Sequence, residues 1–194
     1  MKADTAQQIL DVAEDLVRKR GYSAFSYADI SEQVGIRKAS IHYHFYSKEE
    51  LTKALVNRYR DTALQTLNRF EQTTSDLREQ LVQFCRLYRH GLDQEQMCLC
   101  GILSAEIAIL PEPVQRELGH FFVAMEAWLT KVLKRGCETG YLKLRTSPEQ
   151  EAAFLMATLQ GVQLMARTSD DSEATFDRIM NPLLAAMMIH GTPC

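Results

Sequence analysis

The chain has 194 residues, 46% of them hydrophobic and 24% charged, with nine glycines and five prolines, which excludes a disordered or low-complexity chain and leaves enough length for a buried core. A net charge of −3 excludes nucleic-acid binding through bulk charge; residues 1–70 carry eleven basic and nine acidic side chains and the remainder eleven and sixteen, so any such footprint must be built from a few placed cations. No apolar run approaches the roughly 18 residues of a membrane span, the opening MKADTAQQILDVAEDL lacks a signal-peptide core, and five cysteines read as free thiols of a cytoplasmic protein rather than as a disulfide scaffold.

Apolar spacing is helical almost throughout. Ile9, Ala13, Leu16 and Val17 make one stripe of a first helix that stops at Gly21. Ser26 then stands as the N-cap of a short second helix, with Asp29 three residues on as a weaker capping box, Tyr27, Ile30 and Val34 along one face, and Gly35 as its end. A third short helix is expected over about 38–44 and a long fourth over about 48–70. Ser75 or Asp76 caps a helix running to His90; another spans 97–110 and stops at LPEP; a long one covers 114–138 and ends at Thr139-Gly140. Ser147-Pro148-Glu149 starts a helix reaching Arg167, with proline at the first helical position. The last helix carries Asn181-Pro182, which either kinks it or restarts it. The expected fold class is all-α, with about nine helices and no strand alternation.

The stretch IHYHFYSKEEL, residues 41–51, raises three chemistries. On a helix His42 and His44 point about 200° apart, so they cannot chelate one ion, and no carboxylate stands at helical spacing to orient either as an acid or base. A helical metal protein or enzyme is therefore the weaker reading, and no metal or cofactor is expected. The pattern fits a two-helix unit with a glycine-containing turn, anchored beneath by Ile36, Ile41 and Phe45. Its outward set is Arg37, Lys38, Ser40, His42, Tyr43 and His44: cations for phosphates, hydroxyl and imidazole groups for phosphates or base edges. Lys48 opens the fourth helix, where the positive dipole end already attracts a phosphate. A short amphipathic helix with a merely solvated polar face accounts for the same residues.

GYSAFSYADISEQVGIRKASIHYHFYSKEEL, residues 21–51, resembles the DNA-binding segment of the TetR family of bacterial regulators: a Gly after the first helix, a Ser before the second, an Ile and then a Gly closing it, and an aromatic-HF-x-S-K-E-x-L signature. The resemblance implies an all-helical homodimer with an amino-terminal helix-turn-helix domain (1–47), joined by the long fourth helix to a larger ligand-binding and dimerisation domain (48–194). It implies that the third helix enters the major groove of a double-stranded operator, with Lys38, Ser40, His42 and His44 near bases or phosphates, Tyr43 and Lys48 on phosphates, and Ser26 on the DNA backbone. Two positions depart from the family pattern. Arg37 stands where Ser or Thr commonly caps the third helix and is expected to add a phosphate contact in compensation; His42 stands where Tyr is commonest.

Beyond residue 70, CLCGILSAEIAILPEPVQRELGHFF and ATLQGVQLMAR look like one common type of the family's second domain. The helix over 149–167 is apolar on nearly every side, with Leu155, Leu159, Val162 and Ala166 on one face and Phe154, Gly161 and Met165 on another; LLAAMMI after Pro182 makes the same demand. Helices at about 149–167 and 173–190 are thus expected to pair with their copies, as in the family. A pocket for a small apolar or aromatic effector is expected among Phe84, Tyr88, Cys100, Leu103, Phe121, Met125, Trp128, Gln160 and Gln163, all of which serve equally as ordinary core. The Met and aromatic bias disfavours a sugar phosphate, which calls for clustered Arg and Lys. Cys98 or Cys100 as a thiol or electrophile sensor is the alternative switch. Glu106 is an acid expected to pair with an Arg or a helix end.

Overall fold

The structure, a computed structural model, describes residues 5–188. Among the described residues are nine α-helices: α1 (Thr5–Arg20), α2 (Tyr27–Val34), α3 (Lys38–His44), α4 (Lys48–Thr73), α5 (Leu77–Arg89), α6 (Leu99–Ala105), α7 (Glu112–Glu138), α8 (Pro148–Ala166) and α9 (Ser172–Met187). Two short 3₁₀ turns, Leu92–Gln94 and Ile107–Ile109, complete the regular elements, and the only β pairing among the described residues is an isolated bridge between Leu142 and Met188. Ile189, His190 and Cys194 lie outside the described residues.

Local chemistry sets most helix ends. Ser26 is extended, accepts from the N–H groups of Ala28 and Asp29, and receives Asp29 back on its own N–H, a complete reciprocal cap. Gly35 closes α2 in the left-handed region at φ 74°, where a side chain would be strained. Asp76 caps α5, and Ser147 caps α8 with Pro148 following. Pro182 lies inside α9, which neither breaks nor restarts there.

The single helix expected over 97–110 is instead α6 plus the 3₁₀ turn at Ile107–Ile109. The reason is tertiary. The Met97 N–H donates to the Arg18 carbonyl at 3.2 Å and its carbonyl accepts from Arg18 Nε at 2.8 Å, which ties that residue to α1 rather than to a helix of its own. At the other end the Glu106 N–H reaches back only three residues, to the Leu103 carbonyl, and its side chain is drawn to a distant turn described below. Pro113 is accommodated in the first turn of α7, which begins at Glu112 instead of Val114.

By contact the chain forms two compact units, one of residues up to Asp61 together with Gln96–Phe121, the other of Thr62–Glu95 with residues from Phe122 onward. In the first, α1 buries Ile9, Ala13, Leu16 and Val17 in a core shared with Ile30 of α2, Ile41 of α3, Leu51, Leu55 and Val56 of α4, and Leu99 and Leu103 of α6. Each such large side chain contributes roughly 1.5–3 kcal/mol by leaving water. Arg58 of α4 bridges Asp11 at 2.6 Å and Glu14 at 2.7 Å on α1, and Arg60 reaches Glu117 of α7 at 3.0 Å.

In the second unit α8 buries Leu155, Leu159, Val162 and Ala166, while Phe154, Leu164 and Met165 remain 54%, 54% and 55% exposed. Phe176, Met180 and Leu184 turn α9 inward, leaving Ala185 and Ala186 exposed. Arg89 of α5 clamps α9 through Asp177 at 2.8 and 2.9 Å and Glu173 at 2.7 Å.

Candidate nucleic-acid interface

Helix α3 has one buried residue, Ile41, and it anchors the helix on the core of the first unit; Ile36 and Phe45 are half-buried at either side. Everything else on α3 faces outward to some degree. Lys38, His42, Tyr43 and His44 are exposed, Tyr43 to 86%, and Ser40 is partly so. Arg37 occupies the N-cap without a side-chain bond to the helix, so its guanidinium stays available at the surface.

A notch of about 400 Å³ opens between α2 and α3, lined by Phe25, Ser26, Tyr27, Ala28, Lys38, His42 and Lys48. Its walls are fixed. Tyr27 donates its hydroxyl to the Phe45 carbonyl at 2.9 Å, and burial pushes that phenol up to about 12, so it remains a neutral donor. The His42 ring stands edge-on to Tyr27 with centroids 4.7 Å apart, and its Nδ1 lies 3.1 Å from the Tyr46 carbonyl. Tyr46, 81% exposed and absent from the expected set, stands just beyond α3; its N–H is held by Glu50 at 3.0 Å. Only the aromatic character of HYHFY could have flagged it.

Two of the expected contacts are engaged within the protein. Ser26 is occupied as a cap, its hydroxyl donating to Asp29 at 2.6 Å. Lys48 is turned inward: Nζ donates to the Tyr22 carbonyl at 2.6 Å and the Phe25 carbonyl at 2.7 Å, and sits 4.3 and 4.2 Å from their ring centroids. Burial lowers its ammonium pKa, with Glu106 and Asp29 pulling the other way. It is a strut for the turn between α1 and α2 before it is a phosphate contact.

Glu106 grips the same turn from α6. Its carboxylate accepts from the Tyr22 N–H at 2.6 Å, the Ser23 N–H at 2.9 Å and the Ser23 hydroxyl. Burial pushes this carboxyl up, yet the Ser23 hydroxyl, the two N–H groups and the Lys48 ammonium outweigh it and hold the group below the usual carboxylate range. Its partner is thus neither an Arg nor a helix end. Gly21, at φ 86°, makes room: a Cβ there would lie 2.1 Å from Glu106 Oε1.

The nine expected ligand residues divide between the units. Cys100, Leu103 and Phe121 lie in the first, where Tyr59 meets Phe121 at 5.6 Å between ring centroids. Phe84, Tyr88, Met125, Trp128, Gln160 and Gln163 lie in the second. There Phe84 stacks on Trp128 at 5.3 Å, Trp128 Nε1 donates to Glu71 at 2.7 Å, and Gln163 donates to the Tyr88 carbonyl at 2.6 Å. Gln160 differs, since both of its amide atoms are buried without a hydrogen-bond partner. Burial pushes the Cys100 thiol up, away from the reactive thiolate, and Cys98 is buried at the head of α6. Among the described residues no group of three or more His, Cys, Asp or Glu is placed to hold a metal.

Comparison with known proteins agrees with this geometry. The family model for bacterial regulatory proteins of the tetR family matches residues 9–55, and that for the tetracyclin repressor-like C-terminal domain matches residues 77–181. The HTH-type transcriptional repressor NemR of Escherichia coli K12 is 27% identical over 98% of this chain and 96% of its own. A TetR-family transcriptional regulator from Agrobacterium tumefaciens has a crystal structure with TM-score 0.90 and 40% identity, covering 95% of this chain and 97% of that one. The reduced form of E. coli NemR superposes with TM-score 0.85 at 23% identity over 98% and 99% of the two chains. With an exposed α3 on a capped two-helix unit and a matching second domain, the chain belongs to the TetR family of transcriptional regulators.

Proposed function

We propose that this regulator represses transcription by binding a pseudo-palindromic operator as a homodimer, and that a small apolar or aromatic effector releases it. The observation that carries the DNA-reading part is α3, which spends one residue, Ile41, on the core and presents Lys38, His42, Tyr43 and His44 outward. Set in the major groove, the helix brings Lys38 and Arg37 to phosphates and His42 and Ser40 toward base edges. Tyr43 and Tyr46 supply exposed hydroxyl groups for the sugar-phosphate strand. The notch between α2 and α3 suits a phosphate, with Lys38 on its wall and the α2 N-terminus at its floor.

Dimerisation is supported by the apolar side of α8, where Phe154, Leu164 and Met165 are exposed and where a Cβ added at Gly161 would meet nothing within 4 Å. A two-fold pairing of α8 and α9 with their copies covers that side and carries two reading helices about one DNA turn, some 34 Å, apart. Effector binding is supported in the second unit by the Phe84–Trp128 stack and by the Gln160 amide, a hydrogen-bonding group in want of a partner.

The test is an anisotropy titration of the DNA flanking the protein's own gene, at several salt concentrations, with and without small aromatic metabolites. Salt-dependent, site-specific binding that an aromatic compound reverses is expected; binding that ignores both sequence and salt overturns the reading. A thiol switch is the second reading. NemR has a described reduced form, and Cys98 sits at the head of α6, the helix whose far end carries Glu106. Alkylation that leaves operator affinity unchanged removes it.

A further inference from the structure

We infer that His42 is a base-reading acceptor that selects the exocyclic amino group of an adenine or cytosine in the operator; this rests on the proposed DNA-binding function and names what one side chain of it recognises. The argument starts from a carbonyl. His42 Nδ1 lies 3.1 Å from the Tyr46 carbonyl oxygen, and a carbonyl only accepts, so Nδ1 carries the proton. In the neutral ring the other nitrogen, Nε2, is then a bare lone pair. It has no hydrogen-bond partner among the described residues, and the side chain is exposed.

The ring is held in this state from two sides. Tyr27 stands edge-on at 4.7 Å and is itself fixed by its bond to the Phe45 carbonyl, while the Tyr46 N–H is pinned by Glu50 at 3.0 Å, which sets the carbonyl that fixes the tautomer. Little rotamer freedom remains to be lost on binding. An acceptor cannot bond a phosphate oxygen, and it is repelled by the O6 and N7 of guanine and the O4 of thymine. In the major groove only adenine N6 and cytosine N4 donate. The histidine therefore senses on which strand, and where, an amino group lies, while Lys38 and Arg37 beside it are cations that phosphates also satisfy.

Operators are selected from a random duplex library by the wild type, His42→Ala and His42→Asn, the last keeping an acceptor oxygen. In the wild-type operator each adenine or cytosine is then replaced singly by an analogue lacking the amino group. At one position per half-site the replacement is expected to weaken wild-type binding by roughly five- to tenfold, to leave His42→Ala unaffected, and to mark a base that His42→Asn still prefers. Whether that base is adenine or cytosine is read from the same set. An amino deletion with no effect in the wild type, or with the same effect in His42→Ala, overturns the assignment. If random duplex still binds with a steep salt dependence, the DNA-binding reading survives that failure; if no duplex binds, both fall.

Discussion

Tyr43 and Tyr46 on and after α3 are 86% and 81% exposed, and Phe154, Leu164 and Met165 on α8 are each a little over half exposed. Around the first pair the neighbouring groups are tied down: His42 to a carbonyl and a ring, Tyr27 to the Phe45 carbonyl, Tyr46 N–H to Glu50. Around the second set the exposed neighbours on α8 include the small Ala153 and Ala157, and the hydroxyl groups of Thr158 and Thr168 are spent on the Phe154 and Met165 carbonyls. Both regions hold large side chains in water, but one is stiffened by hydrogen bonds that aim polar tips, and the other is a mostly apolar face whose nearby threonine hydroxyls turn back onto backbone carbonyls. A duplex offers fixed donors and acceptors and rewards the former; a second copy of the same helix offers apolar area and rewards the latter.

The largest expected effect breaks the α8 side. Leu164→Glu places a charge on the patch and should convert dimer to monomer in sedimentation velocity; with one reading helix instead of two, operator affinity should fall about a hundredfold or more. Unchanged dimer at micromolar concentration would remove α8 from the interface. Next is Gly21→Ala, which meets both the positive φ and the Glu106 carboxylate and should destabilise the first unit by about 2–3 kcal/mol in denaturant unfolding.

Glu106→Gln should cost about 1–3 kcal/mol, since the amide nitrogen cannot accept what the carboxylate accepts. It should also change the acid limb. The Glu106 carboxyl is held below its ordinary value, so its contribution to stability is present in full above the unfolded-state carboxylate range, near pH 4.5, and is lost as pH falls through the lower folded value. A stability profile of the variant should be flatter there than that of the wild type, and identical slopes would deny the carboxylate this role.

The smallest effects sharpen the comparison within the reading region. Lys38→Ala should reduce the slope of log affinity against log salt by about one, the mark of a lost phosphate contact. Lys48→Ala should weaken all duplexes alike by roughly tenfold with little change in that slope, because its ammonium is committed to the Tyr22 and Phe25 carbonyls. Equal slope changes would mean that Lys48 leaves the turn to meet DNA.

Features decided within a few residues were legible in the sequence: the Ser26 cap, the Gly35 stop, the Ser147-Pro148 start and the single inward residue of α3 all follow from local pattern. What was not legible depends on distant partners. The break of 97–110 at Glu106 is imposed by a turn 83 residues earlier. A lysine at the head of a helix looks the same whether it faces solvent or bends back over Tyr22 and Phe25, and only the assembled turn decides. His42 was visible as an outward residue, but its tautomer hangs on the direction of one carbonyl after the helix ends. The interior character of Phe84, Trp128 and Leu103 was apparent from spacing, whereas an effector site is a difference between large volumes that composition does not encode.

The grip of Glu106 on Tyr22 and Ser23 bears on how regulators of this kind are recombined. A hybrid that joins residues 1–47 of this chain to the remainder of another family member severs an acid from the turn it was shaped to fit. Such transplants should work only when the Gly21–Ser23 segment and the carboxylate at 106 travel together. The practical seam of the protein therefore does not fall at any one point along the chain.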